Sequence, residues 1–159
     1  MENTQNKAFI LTATEYYTKW AEAEAFIHIK ASTVVKFIQK NIIARFGVPK
    51  VFITDNGPQF ISQAMEDLCT KYGIELHHST PYYPQANGQA EATNKTLLKI
   101  IKKTVETTKG SDWPDRLVEA LWAYRTSIRT PTGETPYALT YGMEAVLPFE
   151  LLHLSLIHI

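Results

Sequence analysis

The chain has 159 residues, 45% of them apolar, which is enough for one compact domain with its own core. Its 16 basic and 16 acidic side chains cancel, so no whole-molecule field draws it to nucleic acid or anionic lipid, and any such affinity has to be local. The lone Cys69 excludes an internal disulfide; without a basic-then-apolar leader it points to a reduced intracellular compartment, and no apolar stretch approaches the roughly 20 residues of a membrane span.

The hydrophobic period changes in a regular order that predicts a mixed α/β domain. "KAFILTATEYY" (7–17) reads as a strand. "WAEAEAFIHI" (20–29) alternates, with Ala21, Ala23, Ala25, Ile27 and Ile29 on one face, so the two should pair as a hairpin. "STVVKFIQKNIIARFG" places Val35, Ile38, Ile42 and Phe46 at helical spacing, with Ser32 or Thr33 as N-cap and Gly47 closing the helix before Pro49. "KVFIT" is a short strand apolar on both faces, "SQAMEDLCTKYG" a helix, and "IELHHS" another short strand. "TPYYPQANG" (80–88) holds two prolines and a glycine and predicts a loop. "QAEATNKTLLKIIKKTVETT" (89–108) is the longest helical pattern, burying Ala90, Leu97, Ile101 and Val105. A further helix runs from about Trp113 to Ser127, capped by Ser111 or Asp112, with Leu117, Leu121 and Tyr124 on one stripe.

Within that order, "FITDNGPQFIS" (52–62) sets Asp55 directly behind a core strand. Side chains at the C-terminal ends of parallel strands converge on the surface where open α/β sheets bind ligands. Glu91 stands one turn into the long helix, after 35 intervening residues that comprise a helix, a strand and a loop able to return the chain to the same rim. Two carboxylates at one edge repel each other unless protonated or bridged by a cation, which suggests a hard divalent metal, magnesium above all, and with it phosphate chemistry. Taken singly, each residue has a plainer reading: Asp before Asn-Gly is a common turn former, and Glu in a first helical turn favours the helix dipole.

The surrounding words decide between these readings. "TDNGPQF" and "YYPQANGQAEATNK", continued by "FILTATEYYTKWAEA" upstream and "WPDRLVEALWAYRTSIRTPTGETPYALTYG" downstream, resemble the catalytic core of retroviral and gypsy-type LTR retrotransposon integrases. The resemblance covers roughly residues 8–150, so residues 1–150 are assigned to the core and 151–159, ending "LSLIHI", to a tail outside the family pattern with no assigned function. It implies a ribonuclease H-like fold, a five-stranded mixed sheet flanked by helices. In that family two aspartates and a glutamate bind two metal ions, Mg2+ or Mn2+. The second aspartate and the glutamate carry over to Asp55 and Glu91.

The reaction so implied is in-line phosphoryl transfer that trims the ends of an element's DNA and joins them to target DNA. DNA is therefore the expected partner, a homo-oligomer the expected assembly and the nucleus the expected location, with no membrane. The segment from Tyr82 to Gly88 would be a mobile loop with Gln85 and Asn87 touching DNA. On the long helix Lys95 and Lys102 follow Glu91 by four and eleven residues, within about 40° of its face. Lys99 flanks them, Asn94 is a further candidate, and Lys103 and Lys109 add charge, a suitable arrangement for a phosphate backbone. Without the resemblance, Glu91 and Lys95 are an ordinary helical ion pair. Adjacent His77 and His78 point to opposite faces and give no zinc pattern with Cys69, and Trp20, Trp113 and Trp122 read as core or interface residues.

One departure from the family carries weight. Its first catalytic aspartate belongs on a strand preceding the hairpin, the central strand of the sheet, and no acid before Phe9 stands in a position to supply it. Glu15 matches a non-catalytic acid of the family. The chain as written is thus expected to lack that strand, to leave edges of the hairpin and of "KVFIT" unpaired, and neither to cleave nor to join DNA, which puts Met1's standing as a start in question. The competing reading is a non-catalytic DNA-binding or oligomerisation module derived from such a core; a ribonuclease H-like nuclease is a third.

Overall fold

The computed structural model describes residues 9–78, 84–107 and 113–144. Strands β1 (Phe9–Thr14) and β2 (Ala21–Phe26) form the predicted antiparallel hairpin, in register from Phe9 opposite Phe26 to Thr14 opposite Ala21. Residues opposite one another share a face of the sheet. One face therefore presents Leu11, Ala13, Glu22, Glu24 and Phe26, and the other Ile10, Thr12, Ala21, Ala23 and Ala25. Both are covered, so the hairpin is the middle layer of three.

On the first face, Leu11 packs with Val34, Phe37 and Ile38, with Met65, Leu68 and Cys69, and with Ile74. Those residues come from α1 (Ala31–Phe37) with its continuation, from α3 (Gln63–Tyr72), and from the approach to β4 (Glu75–His78). On the second face, Ala21 and Ala25 meet Leu97 and Ile101 of α4 (Pro84–Thr107) and Leu117, Ala120, Leu121 and Tyr124 of α5 (Trp113–Arg125). The expected stripe of Leu117, Leu121 and Tyr124 is buried as a unit. Small alanines on β2 let the two helices approach the sheet closely. Tyr124 then reaches past them and donates its hydroxyl to the Lys19 carbonyl, 2.8 Å away, in a turn where Lys19 itself has φ +62°.

The first helix differs from its predicted form in cap and phase. Its N-cap is Lys30, and Thr33 is the residue at N3 whose hydroxyl accepts from the Lys30 N–H at 3.3 Å, so neither Ser32 nor Thr33 caps it. After Phe37 the chain widens into a π-helical stretch, Ile38–Ile43, before closing as α2 (Ala44–Phe46). A wider turn rotates every later side chain relative to a 3.6-residue period. The buried set is Val34, Phe37 and Ile38, with Val35 half-buried already in the regular turn before it; after it Ile42 is half-buried and Phe46 is exposed. The same rotation turns Asn41 onto Glu24 (3.1 Å) and Arg45 onto Glu22 (2.6 Å).

Local chemistry ends the other helices as their sequences predict. Ser62 caps α3 by accepting from the Met65 N–H, and Gly73, at φ +68°, lets the Ile74 N–H turn back to the Cys69 carbonyl at 2.8 Å. Thr135 caps α6 (Pro136–Tyr141) in the same manner, with Pro136 opening it. The segment 80–88 is only partly the predicted loop: α4 already begins at Pro84, and Gly88 lies inside it with open space where a side chain would be. Proline at the first helical position is pre-set for helix and lacks an N–H that would be orphaned anyway, which outweighs the cost of about 1 kcal/mol for one interior glycine. The predicted caps Ser111 and Asp112 and the loop residues 79–83 lie outside the described residues.

Strand β3 (Val51–Thr54) pairs with β4 in parallel, from Val51 opposite Glu75 to Thr54 opposite His78. Among the described residues the hairpin and β3 do not pair with one another, which is the gap the sequence predicted. Among the described residues the strands make two separate pairs, β1 with β2 and β3 with β4. The outward residues of β3, Val51 and Ile53, are each 37% exposed, so this strand is half-covered and not buried on both faces. No helix among the described residues is long and apolar enough to cross a membrane.

Candidate active site

The parallel β3–β4 ladder ends at Thr54 opposite His78, and Asp55 is the next residue of the chain. It is exposed at the strand's C-terminal end, where the sequence placed it. Its Oδ1 accepts from the Gly57 N–H at 2.7 Å, an Asx turn that sharply reverses the chain. The Gly57 carbonyl then accepts from the Phe60 and Ile61 N–H groups, at 2.9 and 3.1 Å. Asp55 is therefore both the turn former of its plainer reading and an exposed carboxylate at the rim; the two roles use one side chain.

Gly57 is required by crowding. A Cβ there would meet Gln59 Nε2 at 2.6 Å and Asp55 Oδ1 at 2.9 Å. The Gln59 amide can swing away, but Asp55 Oδ1 is held by the very N–H of residue 57. Gly57→Ala is expected to leave global stability within about 1 kcal/mol, as for a surface change, while moving the Asp55 carboxylate. Divalent-cation affinity measured by calorimetry should fall with little change in the urea midpoint.

Glu91 is exposed on α4, as the helical phase predicts. Three residues on, Asn94 meets the hairpin, with its Oδ1 accepting from the Thr12 hydroxyl at 2.7 Å. Asn94 thus anchors the N-terminal half of α4 to β1, a contact no sequence pattern announced. Lys95, Lys99 and Lys102 are exposed and, with Leu98 and Lys103, share one open face of α4. Gln85 and Asn87 lie on the first turns of α4 and not in a loop; their side chains fall outside the described residues.

Three residues weighed against the site prove locally engaged. Glu15 Oε2 accepts from the Thr18 N–H and hydroxyl, both at 2.7 Å. Burial works against its ionisation, but the hydrogen bonds from Thr18 and the Tyr17 N–H and the Lys19 ammonium outweigh it and hold the carboxyl below the usual range. His77 reaches Glu75, 3.5 Å away on its own strand, and His78 bonds Thr54 at 2.9 Å across the ladder.

No group of three or more His, Cys, Asp or Glu side chains gathers for a metal among the described residues. Asp55 and Glu91 are nonetheless of the right kind: two exposed, hard oxygen donors suit magnesium, which keeps several waters and commonly takes one or two carboxylates beside substrate phosphates.

A family profile described as "Integrase core domain" matches residues 1–84, more than half of the chain. The chain belongs to the integrase core domain family. This integrase core is 37% identical over 136 residues to the Gag-Pol polyprotein of koala retrovirus, an alignment that takes in 84% of the chain and only 8% of the polyprotein. It is similar to the crystal structure of the catalytic core domain of BIV integrase, with a TM-score of 0.69 and 27% identity over 82% of this chain and 83% of that one. It is also similar to the HTLV-2 integrase catalytic core domain in complex with magnesium, in a trimeric form, with a TM-score of 0.65 and 25% identity over 80% and 81% of the two chains. The fold is thus the ribonuclease H-like fold that the sequence predicted. It appears here as two strand pairs sandwiched by helices.

Proposed function

We propose that this integrase core serves a retroelement's DNA integration, holding a divalent metal through Asp55 and Glu91 and DNA phosphates through the lysines of α4. What supports the reading is the match to the integrase core family together with where each acid stands on its own element. Asp55 leaves the end of the β3–β4 ladder, and the helix bearing Glu91 is tied to the neighbouring hairpin by Asn94 and Thr12. When bound, a magnesium or manganese ion there supplies Lewis-acid stabilisation of phosphoryl oxygens. The protein's own part is positional. The Asx turn fixes the Asp55 carboxylate, and Lys95, Lys99 and Lys102 offer point charges along one helix face beyond Glu91. DNA contacts by Gln85, Asn87 and Asn94 belong to the same reading.

The family's second metal ion, a homo-oligomeric assembly on paired DNA ends and a nuclear location belong to the same reading. The koala retrovirus relative is a polyprotein, and the HTLV-2 core carries magnesium in a trimer. A second reading, a DNA-binding or assembly module without catalysis, draws on the small number of gathered acids among the described residues.

Calorimetric titration with Mn2+ separates the two, since the metal reading expects saturable binding that Asp55→Asn removes and the module expects none. DNA binding is tested by fluorescence anisotropy against salt. Lys95→Ala should weaken binding evenly across sequences and lower the slope of log K against log[salt] by about 1. An unchanged slope would remove α4 from the DNA interface.

A further inference from the structure

We propose that His78 is a positioning residue which, through Thr54, holds the Asp55 turn in place; the inference deepens the metal reading of Asp55 given above. The observation is a side-chain bond at the last rung of a ladder. Thr54 Oγ1 and His78 Nδ1 lie 2.9 Å apart, both half-buried, on residues directly opposite in the parallel register. Among the described residues neither strand has a further pair beyond that rung, and the chain passes at once into Asp55 on one side and leads to α4, with Glu91, on the other.

A parallel pair is slightly weaker per residue than an antiparallel one, and a two-stranded ladder frays from its ends. Here the end that frays carries the acid. The Asx turn fixes Asp55 only relative to Gly57, two residues away. It does not fix the turn relative to the sheet. The Thr54–His78 bond does, because it ties the residue before Asp55 to the neighbouring strand independently of the backbone ladder. Thr54 suits the role, being β-branched and stiff at χ1, so a held hydroxyl holds its backbone. Of the two adjacent histidines only His78 can act so, since His77 projects from the opposite face and meets Glu75.

The test uses the full chain with Thr54→Val, His78→Phe, the two combined, and His78→Asn. An asparagine can present a polar atom near the position of Nδ1. Two readouts are taken: amide hydrogen exchange at Gly57, whose N–H reports the turn, and Mn2+ affinity by calorimetry, with urea midpoints measured alongside. Thr54→Val and His78→Phe should each speed Gly57 exchange and weaken Mn2+ binding by about fivefold, the equilibrium effect of one hydrogen bond. The double variant should do no more than either alone, and His78→Asn should recover most of the loss. Unchanged exchange at Gly57 in both single variants, additive losses, or no rescue by asparagine would each overturn the proposal. Wild-type chain that binds no Mn2+ while Gly57 exchange behaves as described would count against the metal reading and leave the clamp supported.

Discussion

Asp55→Asn or Glu91→Gln, introduced into an integrase that carries this core, is expected to lower DNA strand transfer by about a thousandfold while leaving the fold in place. The magnitude follows from what a bound cation contributes. Stabilising charge on a transferring phosphoryl group supplies several kcal/mol, and each 1.36 kcal/mol is a factor of ten in rate. Neutral amides bind a hard cation far less well than carboxylates, so either change removes most of that contribution. The fold should survive for reasons visible in the structure. Asparagine keeps the side-chain oxygen that accepts from the Gly57 N–H, and it is as good an Asx-turn former as aspartate. Glu91 is exposed on a helix, where glutamine has nearly the same propensity. Thermal denaturation should move by no more than the ±0.5 kcal/mol of ordinary surface changes. Normal joining by either variant would show that the site has been assigned to the wrong acids.

The position of Asp55 was legible in the sequence because its signal is local. Asp55 follows an apolar strand and precedes Asn-Gly, so strand end, turn and exposed carboxylate are written in four residues. The stripe of Leu117, Leu121 and Tyr124 was equally plain, since α5 is a regular helix that buries one face. Phase was lost where regularity was lost. The wide turn at Ile38–Ile43 rotates the end of the first helix, and no period of 3.6 follows a rotation of that kind. In "PYYPQANG" the two prolines and the glycine argued for a loop, yet Pro84 is also suited to a first helical position, and α4 begins there. Contacts between distant segments had no local signal at all. Thr54 meets His78 only through the β3–β4 register, and Thr12 meets Asn94 across 82 residues. The alternation of "AEAEAF" correctly turned the alanines to one face, but the opposite face is not solvent. Glu22 is buried there, 5% exposed, because its partners come from α2 and α5.

Glu22→Leu is the substitution with the largest expected effect on folding, about 3–5 kcal/mol, the usual consequence of removing one member of a buried charged group. The carboxylate is gripped from three sides: Arg45 at 2.6 Å, Arg125 at 3.1 Å, and the Trp20 indole N–H at 2.8 Å. Arg125 also donates twice to the Ala21 carbonyl, at 2.7 and 3.0 Å, and lies over the Trp20 ring at 4.2 Å. Burial lowers the Arg125 pKa from its ordinary value, against the opposing pull of Glu22. Leucine at position 22 would leave two cations facing each other and an indole N–H without its acceptor. Against a typical total stability of about 5–15 kcal/mol the loss is a large share, and it should lower the melting temperature by about 10 °C. The two arginines should rank by exposure. Arg125→Leu, with a side chain only 17% exposed and three further contacts, should cost most of what Glu22→Leu costs. Arg45→Gln, at 41% exposed and partly screened by water, should cost about 1 kcal/mol. Urea denaturation of the three variants checks the order. Arg45→Gln matching Arg125→Leu would mean that the further contacts of Arg125 add nothing beyond its pairing with Glu22. The order predicted here requires instead that Arg125 joins the β2 backbone, the Trp20 ring and α5 into one unit, and so holds the helix on which α4 and Glu91 rest.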